Sequence, residues 1–104
     1  MADKLHIFAV SDSVGETAEK IAVASVLQFK MERSITRFSR VTKKEQVLEI
    51  IEQAVENDAL IIYTIVIPEI SKFLDEKAQE NNVLAVNVMS PLFNAIEAKT
   101  GLQP

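Results

Sequence analysis

The stretch LHIFAVSDSVGETA, residues 5–18, decides the fold of this 104-residue chain. It begins with a nearly unbroken apolar run at residues 5–10, which is typical of a central parallel strand covered on both faces. Small and hydroxylated residues with one glycine follow, after which apolar residues recur at helical spacing. A second apolar run, ALIIYT at residues 59–64, repeats the strand pattern. The sequence therefore predicts an α/β protein built around buried parallel strands.

Strands and helices are predicted to alternate along the whole chain. We expect strands at residues 5–10, 34–41, 59–64 and 83–88, each followed by a segment with helical spacing. Regular alternation requires right-handed crossovers, and so a parallel sheet with helices on both faces, a three-layer Rossmann-like domain. The most apolar strands should be central, and the charged second strand belongs at an edge. The prediction is one domain over residues 1–104 with strand order 2-1-3-4.

Several helix ends are marked by residues that suit such positions. Pro68 is expected in the first turn of the third helix, because its missing N–H is not needed there. Ser90 is predicted to cap the fourth helix, with Pro91 at the first helical position. Gly101 is predicted to end that helix in a left-handed conformation.

The composition limits the classes of site and location. Hydrophobic residues make up 48% of the chain, which is enough to bury a core. Cysteine is absent, which removes disulfides, thiolate metal sites and cysteine nucleophiles. A single histidine leaves little from which to build a transition-metal site. The first apolar run is far shorter than the roughly 20 residues of a membrane span. We therefore expect a cytoplasmic protein with no metal and no membrane partner.

Charge is unevenly distributed along the chain. The net charge of −4 argues against nucleic acid as a partner, since phosphate backbones favour basic surfaces. One short segment is nevertheless basic and holds a single acid, Glu32. Its basic residues are Lys30, Arg33, Arg37, Arg40, Lys43 and Lys44. Two interpretations stay open, a solvated edge strand protected by charge and a binding surface.

The loop after the first strand is the main candidate binding site. Ligands of parallel sheets collect at the carboxyl ends of the strands, beside the switch point between strands one and three. The loop places backbone N–H groups and hydroxyls at the positive end of a helix, which favours an anion. The candidate residues are Ser11, Asp12, Ser13, Gly15 and Thr17. A plain helix start is the alternative, because Ser13 and Glu16 have the spacing of a capping box.

Three residues outside this loop are further candidates for binding. Arg37 and Arg40 should lie at the carboxyl end of the edge strand, where their guanidinium groups could hold a phosphate or an acidic patch. Thr64 ends the third strand, so its hydroxyl could line the same cleft as the first loop. No catalytic residue is predicted in this chain.

The first loop also begins an ordered set of residues that resembles a known family. The chain looks like the amino-terminal part of the bacterial and plant regulators of pyruvate, phosphate dikinase and phosphoenolpyruvate synthase, and the resemblance spans nearly all of it. The residues that carry it are VSDSVGETAE at 10–19, Gln28-Phe29, Arg37-Phe38, Val41, Ala59-Leu60, Tyr63-Thr64, Pro91-Leu92 and Gly101. At Asn87 the chain departs from the family, which usually has an aspartate there.

The resemblance implies a bifunctional parent protein. Such regulators inactivate their target by ADP-dependent phosphorylation of a threonine, and reactivate it by phosphate-dependent removal that yields pyrophosphate. Their nucleotide-binding P-loop lies in a carboxyl-terminal domain, and residues 1–104 contain no GxxxxGK[ST] pattern. The implied partners are one of the two target enzymes and the carboxyl-terminal kinase domain, with a homodimer as a further option. ADP would bind through that other domain, and no cofactor is expected in this chain.

Alternatives from other functional classes stay open. The chain could be an independent module that binds a small ligand or anion in signalling, without catalysis. A receiver-like module fits less well, because its acceptor aspartate should end the third strand, where Tyr63 and Thr64 stand. A structural domain that only dimerises is the third alternative, since fold alone does not decide function.

Overall fold

The structure, a computed structural model, describes residues 4–104 and shows strands and helices in strict alternation. In chain order the elements are β1 (Lys4–Ser11), α1 (Glu16–Val26), β2 (Glu32–Phe38), α2 (Lys44–Asn57), β3 (Leu60–Thr64), α3 (Pro68–Glu80), β4 (Ala85–Asn87) and α4 (Met89–Thr100).

The four strands form one parallel sheet in the order β2-β1-β3-β4, so the predicted architecture and strand order are confirmed. The register sets Val10 beside Phe38 of β2 and Tyr63 of β3. Ser11 lies opposite Thr64, which brings the ends of the two central strands together. The carboxyl ends of β1 and β3 therefore meet at the switch point, as expected for a ligand-binding edge.

Two apolar cores fix α1, α2 and α3 on opposite faces of the sheet. The larger core packs α2 and α3 against one face, and its members include Phe8, Val47, Ile61 and Leu74. The rings of Phe8 and Phe38 are tilted with their centroids 5.0 Å apart, a favoured arrangement of aromatic pairs.

The smaller core packs α1 against the other face of the sheet. Ala22 and Val26 contact Ile7 and Ile62 there. Ala18 and Ala22 are fully buried, and their small side chains let the helix lie close to the strands. This close approach fixes the amino end of α1, and with it the loop that precedes the helix.

Some predicted boundaries were wrong, for identifiable local reasons. The fourth strand was expected over residues 83–88 but has three residues, Ala85–Asn87. The second strand, at Glu32–Phe38, starts earlier than predicted. It also ends earlier, because residues 39–41 turn away to bond the loop after β1. Pro68 is in the first turn of α3 as predicted, and Gly101 ends α4 with φ 73°. No helix in the described part of the chain has the length and apolarity that crossing a membrane requires.

Candidate functional site

The predicted candidate residues converge at the carboxyl edge of the sheet. A pocket of about 390 Å³ lies between the turn after β1, the end of β3 and the start of α4. Its lining includes Ser11, Asp12, Ser13, Gly15, Glu16, Thr17 and Thr64. Val66 and Met89 also line it, and neither was predicted, because apolar residues outside a motif give no signal in the sequence. The structure thus brings Thr64 to the first loop, as expected.

The capping box of Ser13 and Glu16, which the sequence offered as an alternative role for the loop, is not formed. The residue that caps the helix is Gly15, with φ 94°, and no side chain makes a capping hydrogen bond. The Oγ of Ser11 instead accepts a hydrogen bond from the Ser13 N–H at 3.0 Å, which closes a tight turn ahead of the helix. The Ser13 hydroxyl lies 3.2 Å from that same Oγ. Ser13 is therefore two residues too early to cap α1.

Asp12 connects the turn to the next loop of the sheet edge. Its Oδ2 atom accepts hydrogen bonds from the backbone N–H of Val66 at 2.8 Å and of Ile67 at 3.0 Å. Bonds to a carboxylate are stronger than those between neutral groups. The sequence placed Asp12 among the candidate binding residues, and in the structure one of its oxygens is occupied by the β3–α3 loop.

The segment just after β2, residues 39–41, holds the turn from the other side. The Arg40 N–H donates to the Ser13 carbonyl at 2.8 Å, and the Val41 N–H donates to the Ser11 carbonyl at 2.9 Å. The Ser39 hydroxyl donates to the carbonyl of Val14. Arg40 adopts φ 55°, a left-handed conformation that aims its backbone at the turn. These contacts fix the shape of the turn far more firmly than a helix start requires.

Arg37 lies directly against the turn, as the sequence predicted. A Cβ atom placed on Gly15 would lie 2.9 Å from Cδ of Arg37, so glycine is needed both for its positive φ and for this contact. The Nε atom of Arg37 is 3.8 Å from Oε2 of Glu19. Both side chains are more than a third exposed, so this ion pair contributes little to stability.

Charges of both signs surround the turn. Arg37 and Arg40 are exposed beside it, and acids stand at Asp12, Glu16 and Glu19. The amino end of α1 adds partial positive charge from N–H groups that no side chain caps. Because these positive and negative charges offset each other, the turn offers directional hydrogen-bond donors but no strong positive field. An anion would bind tightly here only if a partner supplied further positive charge.

The chemistry available at this edge is hydrogen bonding more than proton or metal chemistry. Within residues 4–104 no group of three His, Cys, Asp or Glu side chains could hold a metal ion. The only histidine, His6, is near the opposite end of β1, where its Nδ1 lies 2.8 Å from the Ser34 hydroxyl. The hydroxyls of Ser13 and Thr17, on exposed residues of the turn, are hydrogen-bonding groups that a partner can reach.

A second and larger cleft, of about 610 Å³, lies beside the first, between α3 and α4. Tyr63 forms part of its floor, and burial, followed by the negative charge of Asp75, raises the pKa of this phenol above its ordinary value of 10.0. The side chains of Ser71 and Asn87 act in the opposite direction on that pKa.

The side-chain oxygen that accepts bonds from the first N–H groups of α4 belongs to Asn87 and not to Ser90. Its Oδ1 accepts hydrogen bonds from the N–H groups of Met89 at 3.1 Å and of Ser90 at 3.2 Å. The helix therefore begins at Met89, and the predicted cap at Ser90 was wrong. Pro91 remains in the first turn, where its missing N–H costs nothing. The family that the sequence resembles usually has an aspartate at this position, and a carboxylate could accept the same bonds.

Comparison with known proteins identifies relatives over the whole chain. The profile of the kinase/pyrophosphorylase family matches residues 7–104. A Syntrophomonas wolfei protein named "Putative pyruvate, phosphate dikinase regulatory protein 1" is 76% identical over 105 residues, which cover 100% of this chain and 38% of that protein. Similarly named proteins of Alkaliphilus oremlandii and Halothermothrix orenii are 45% and 39% identical, over 90% and 100% of this chain.

These relatives are much longer than the chain, which spans 38%, 34% and 41% of their respective lengths. The family profile nevertheless covers nearly every residue, including the turn after β1, Arg37 and Thr64. The chain therefore belongs to the kinase/pyrophosphorylase family.

Proposed function

We propose that this chain is the amino-terminal domain of a two-domain cytoplasmic protein that regulates pyruvate, phosphate dikinase. Family membership and the names of the relatives support this target. The parent protein would phosphorylate a threonine of the target with ADP, and would remove the phosphate with inorganic phosphate to give pyrophosphate. Phosphoenolpyruvate synthase is the second target that the resemblance of the sequence implies.

The role proposed for this domain is to dock the target and to complete an anion site. The observation that carries it is the turn at residues 11–17, which is held on one side by Asp12 and on the other by Arg40 and Val41. A helix start needs one capping group. This turn has many more bonds, yet it leaves the Ser13 and Thr17 residues exposed, and it lies at the edge where parallel sheets bind ligands.

The nucleotide would bind elsewhere in the parent protein. Nucleotide phosphates need a cradle of backbone donors together with a lysine, and no lysine lines the pocket at the turn. We assign ADP to the P-loop of a carboxyl-terminal domain. The protein for testing, called the extended protein below, is the family-length protein that contains this chain.

The experiment that tests this role reverses the two charges beside the turn. Arg37→Glu with Arg40→Glu in the extended protein should weaken association with pyruvate, phosphate dikinase by about tenfold or more at low salt, because exposed charges mainly steer and orient a partner. Surface plasmon resonance over a range of salt concentrations measures the effect, and urea unfolding confirms that the variant is folded.

The matched control reverses two charges of the same basic segment away from the turn. Lys30→Glu with Arg33→Glu makes the same change in net charge near the amino end of β2. At about 0.15 M salt it should leave target association within about twofold of the unmodified protein, since the Debye length is then about 8 Å and charges farther than that from a contact are screened. Equal weakening by both pairs would show that only the net charge matters for association. No weakening by either pair would refute docking at the turn.

A further inference from the structure

Helix α4 differs from the other helices because none of its side chains is fully buried, and only Met89, Phe93 and Glu97 are partly buried. The structure gives α1, α2 and α3 three or four buried side chains each, whereas α4 has none among its twelve residues. Helices of this length are marginal in water without packing of one face. Both of its ends are nevertheless well formed, by the Asn87 side chain at the start and by Gly101 at φ 73°.

Three exposed apolar side chains lie on α4 or just after it. Leu92 and Ile96 are one helical turn apart and are 54% and 57% exposed, and Leu102 just beyond the helix is 69% exposed. Phe93 and Ile96 line an apolar hollow of about 290 Å³. We call Leu92, Phe93, Ile96 and Leu102 the α4 patch. Single exposed apolar residues are normal, but here they belong to a helix without a single fully buried side chain.

The position of Pro104 indicates what covers this patch. Pro104 lines both the hollow on α4 and the larger cleft between α3 and α4. Polypeptide that continued from Pro104 would therefore leave the domain at the patch itself. The relatives are long enough to supply such polypeptide, since this chain matches only 38% of the Syntrophomonas wolfei protein.

We propose that the α4 patch is the surface on which the remaining part of the family-length protein packs. This inference rests on the proposed two-domain parent, and it adds which surface joins the domains. The turn at residues 11–17 would then stay open to the target. Covering the patch would also convert α4 from a marginal helix into a stable one.

Hydrogen exchange tests the proposal, because it measures local opening of each helix without any nucleotide or target. The amides of α4 should exchange about tenfold more slowly in the extended protein than in this chain alone. Leu92→Asp with Ile96→Asp in the extended protein should restore fast exchange in α4. The matched control, Leu48→Asp with Val55→Asp, changes two residues of α2 that are 48% and 53% exposed, and should leave α4 protected.

Equal exchange of α4 in the two unmodified proteins would overturn the proposal, whether or not the variants fold. Protection of α4 in this chain alone that grows with protein concentration would also overturn it, because a second copy would then be the occupant. The hydrogen-exchange result does not depend on the proposed activity. An extended protein with a protected α4 that fails to phosphorylate the dikinase contradicts the function and leaves the interface standing.

Discussion

The Oδ2 atom of Asp12 lies 2.8 Å from the backbone nitrogen of Val66 and joins the two loops at the switch point of the sheet. The same oxygen accepts a second bond, from Ile67 at 3.0 Å. The loop after β1 and the loop after β3 thus form one unit. A carboxylate that the sequence presents as a free charge is therefore a structural connection as well.

Replacement of Asp12 should loosen this connection. Asp12→Ala removes the acceptor of two backbone donors, and we expect a loss of about 2 kcal/mol in the free energy of unfolding. Asp12→Asn keeps an oxygen acceptor without the charge, so it should cost less than the alanine variant. Urea unfolding of both variants measures the difference. Equal stability of Asp12→Ala and the unmodified chain would contradict the assignment.

Gly15→Ala should be more costly than Gly101→Ala. Both glycines have positive φ, 94° and 73°, so each alanine adopts a strained backbone that costs on the order of 1 kcal/mol. Only at Gly15 does the new Cβ meet other atoms, Cδ and Cγ of Arg37 at 2.9 and 3.1 Å and Oγ of Ser39 at 3.2 Å, whereas nothing lies within 4 Å at Gly101. Urea unfolding should rank the two variants in that order. The gap should narrow when Arg37→Ala is added, because only the contact with Ser39 then remains, and an unchanged gap would exclude Arg37 as a cause.

Asn87→Ala should destabilise the start of α4. The two N–H groups of Met89 and Ser90 lose their acceptor, at a cost of about 1 kcal/mol. Asn87→Asp should retain the cap, because a carboxylate accepts these bonds and suits the positive end of a helix. Ser90→Ala is the control and should be neutral. Circular dichroism and urea unfolding report these effects, and a cost for Ser90→Ala equal to that of Asn87→Ala would contradict this assignment.

Tyr63 should make the stability of the chain fall at high pH. Burial raises the pKa of this phenol in the folded state above 10.0, so the folded state holds the proton more tightly than the unfolded state does. The resulting stability is fully present below pH of about 10 and is lost as the pH rises above it. Tyr63→Phe has no such proton, so its stability should fall less. Thermal unfolding of both proteins across this range gives the comparison, and parallel pH profiles would contradict it.

The strand order could be predicted because apolar content and charge separate central strands from edge strands. The runs at 5–10 and 59–64 had to be central, and the basic second strand had to be an edge, as the structure confirms. Element boundaries were less predictable where two capping groups compete. At α4, Ser90 followed by Pro91 is a strong local signal, but the Asn87 side chain reaches the helix first.

The residues that lie at the candidate site were also largely predictable from the sequence, but the hydrogen bonds that hold the site together were not. Ser11, Asp12, Ser13, Gly15, Thr17 and Thr64 line one pocket, and Arg37 lies against Gly15, as the parallel topology required. The bond from Val66 to Asp12 joins residues 54 positions apart. No spacing rule reveals such a contact, because it depends on how two loops meet in three dimensions.

The most direct test of the proposed role removes the exposed hydroxyls of the turn and leaves its framework in place. Ser13→Ala with Thr17→Val in the extended protein should lower the rate of ADP-dependent phosphorylation of pyruvate, phosphate dikinase by about tenfold or more, since each lost bond to a charged group is worth roughly 1.5 kcal/mol or more. Unfolding free energy should change by less than about 1 kcal/mol, because neither hydroxyl caps α1. Ser25→Ala, at an exposed serine near the far end of the same helix, is the matched control and should keep the full rate. Unchanged phosphorylation by a folded Ser13→Ala, Thr17→Val protein would show that the turn serves only to start a helix.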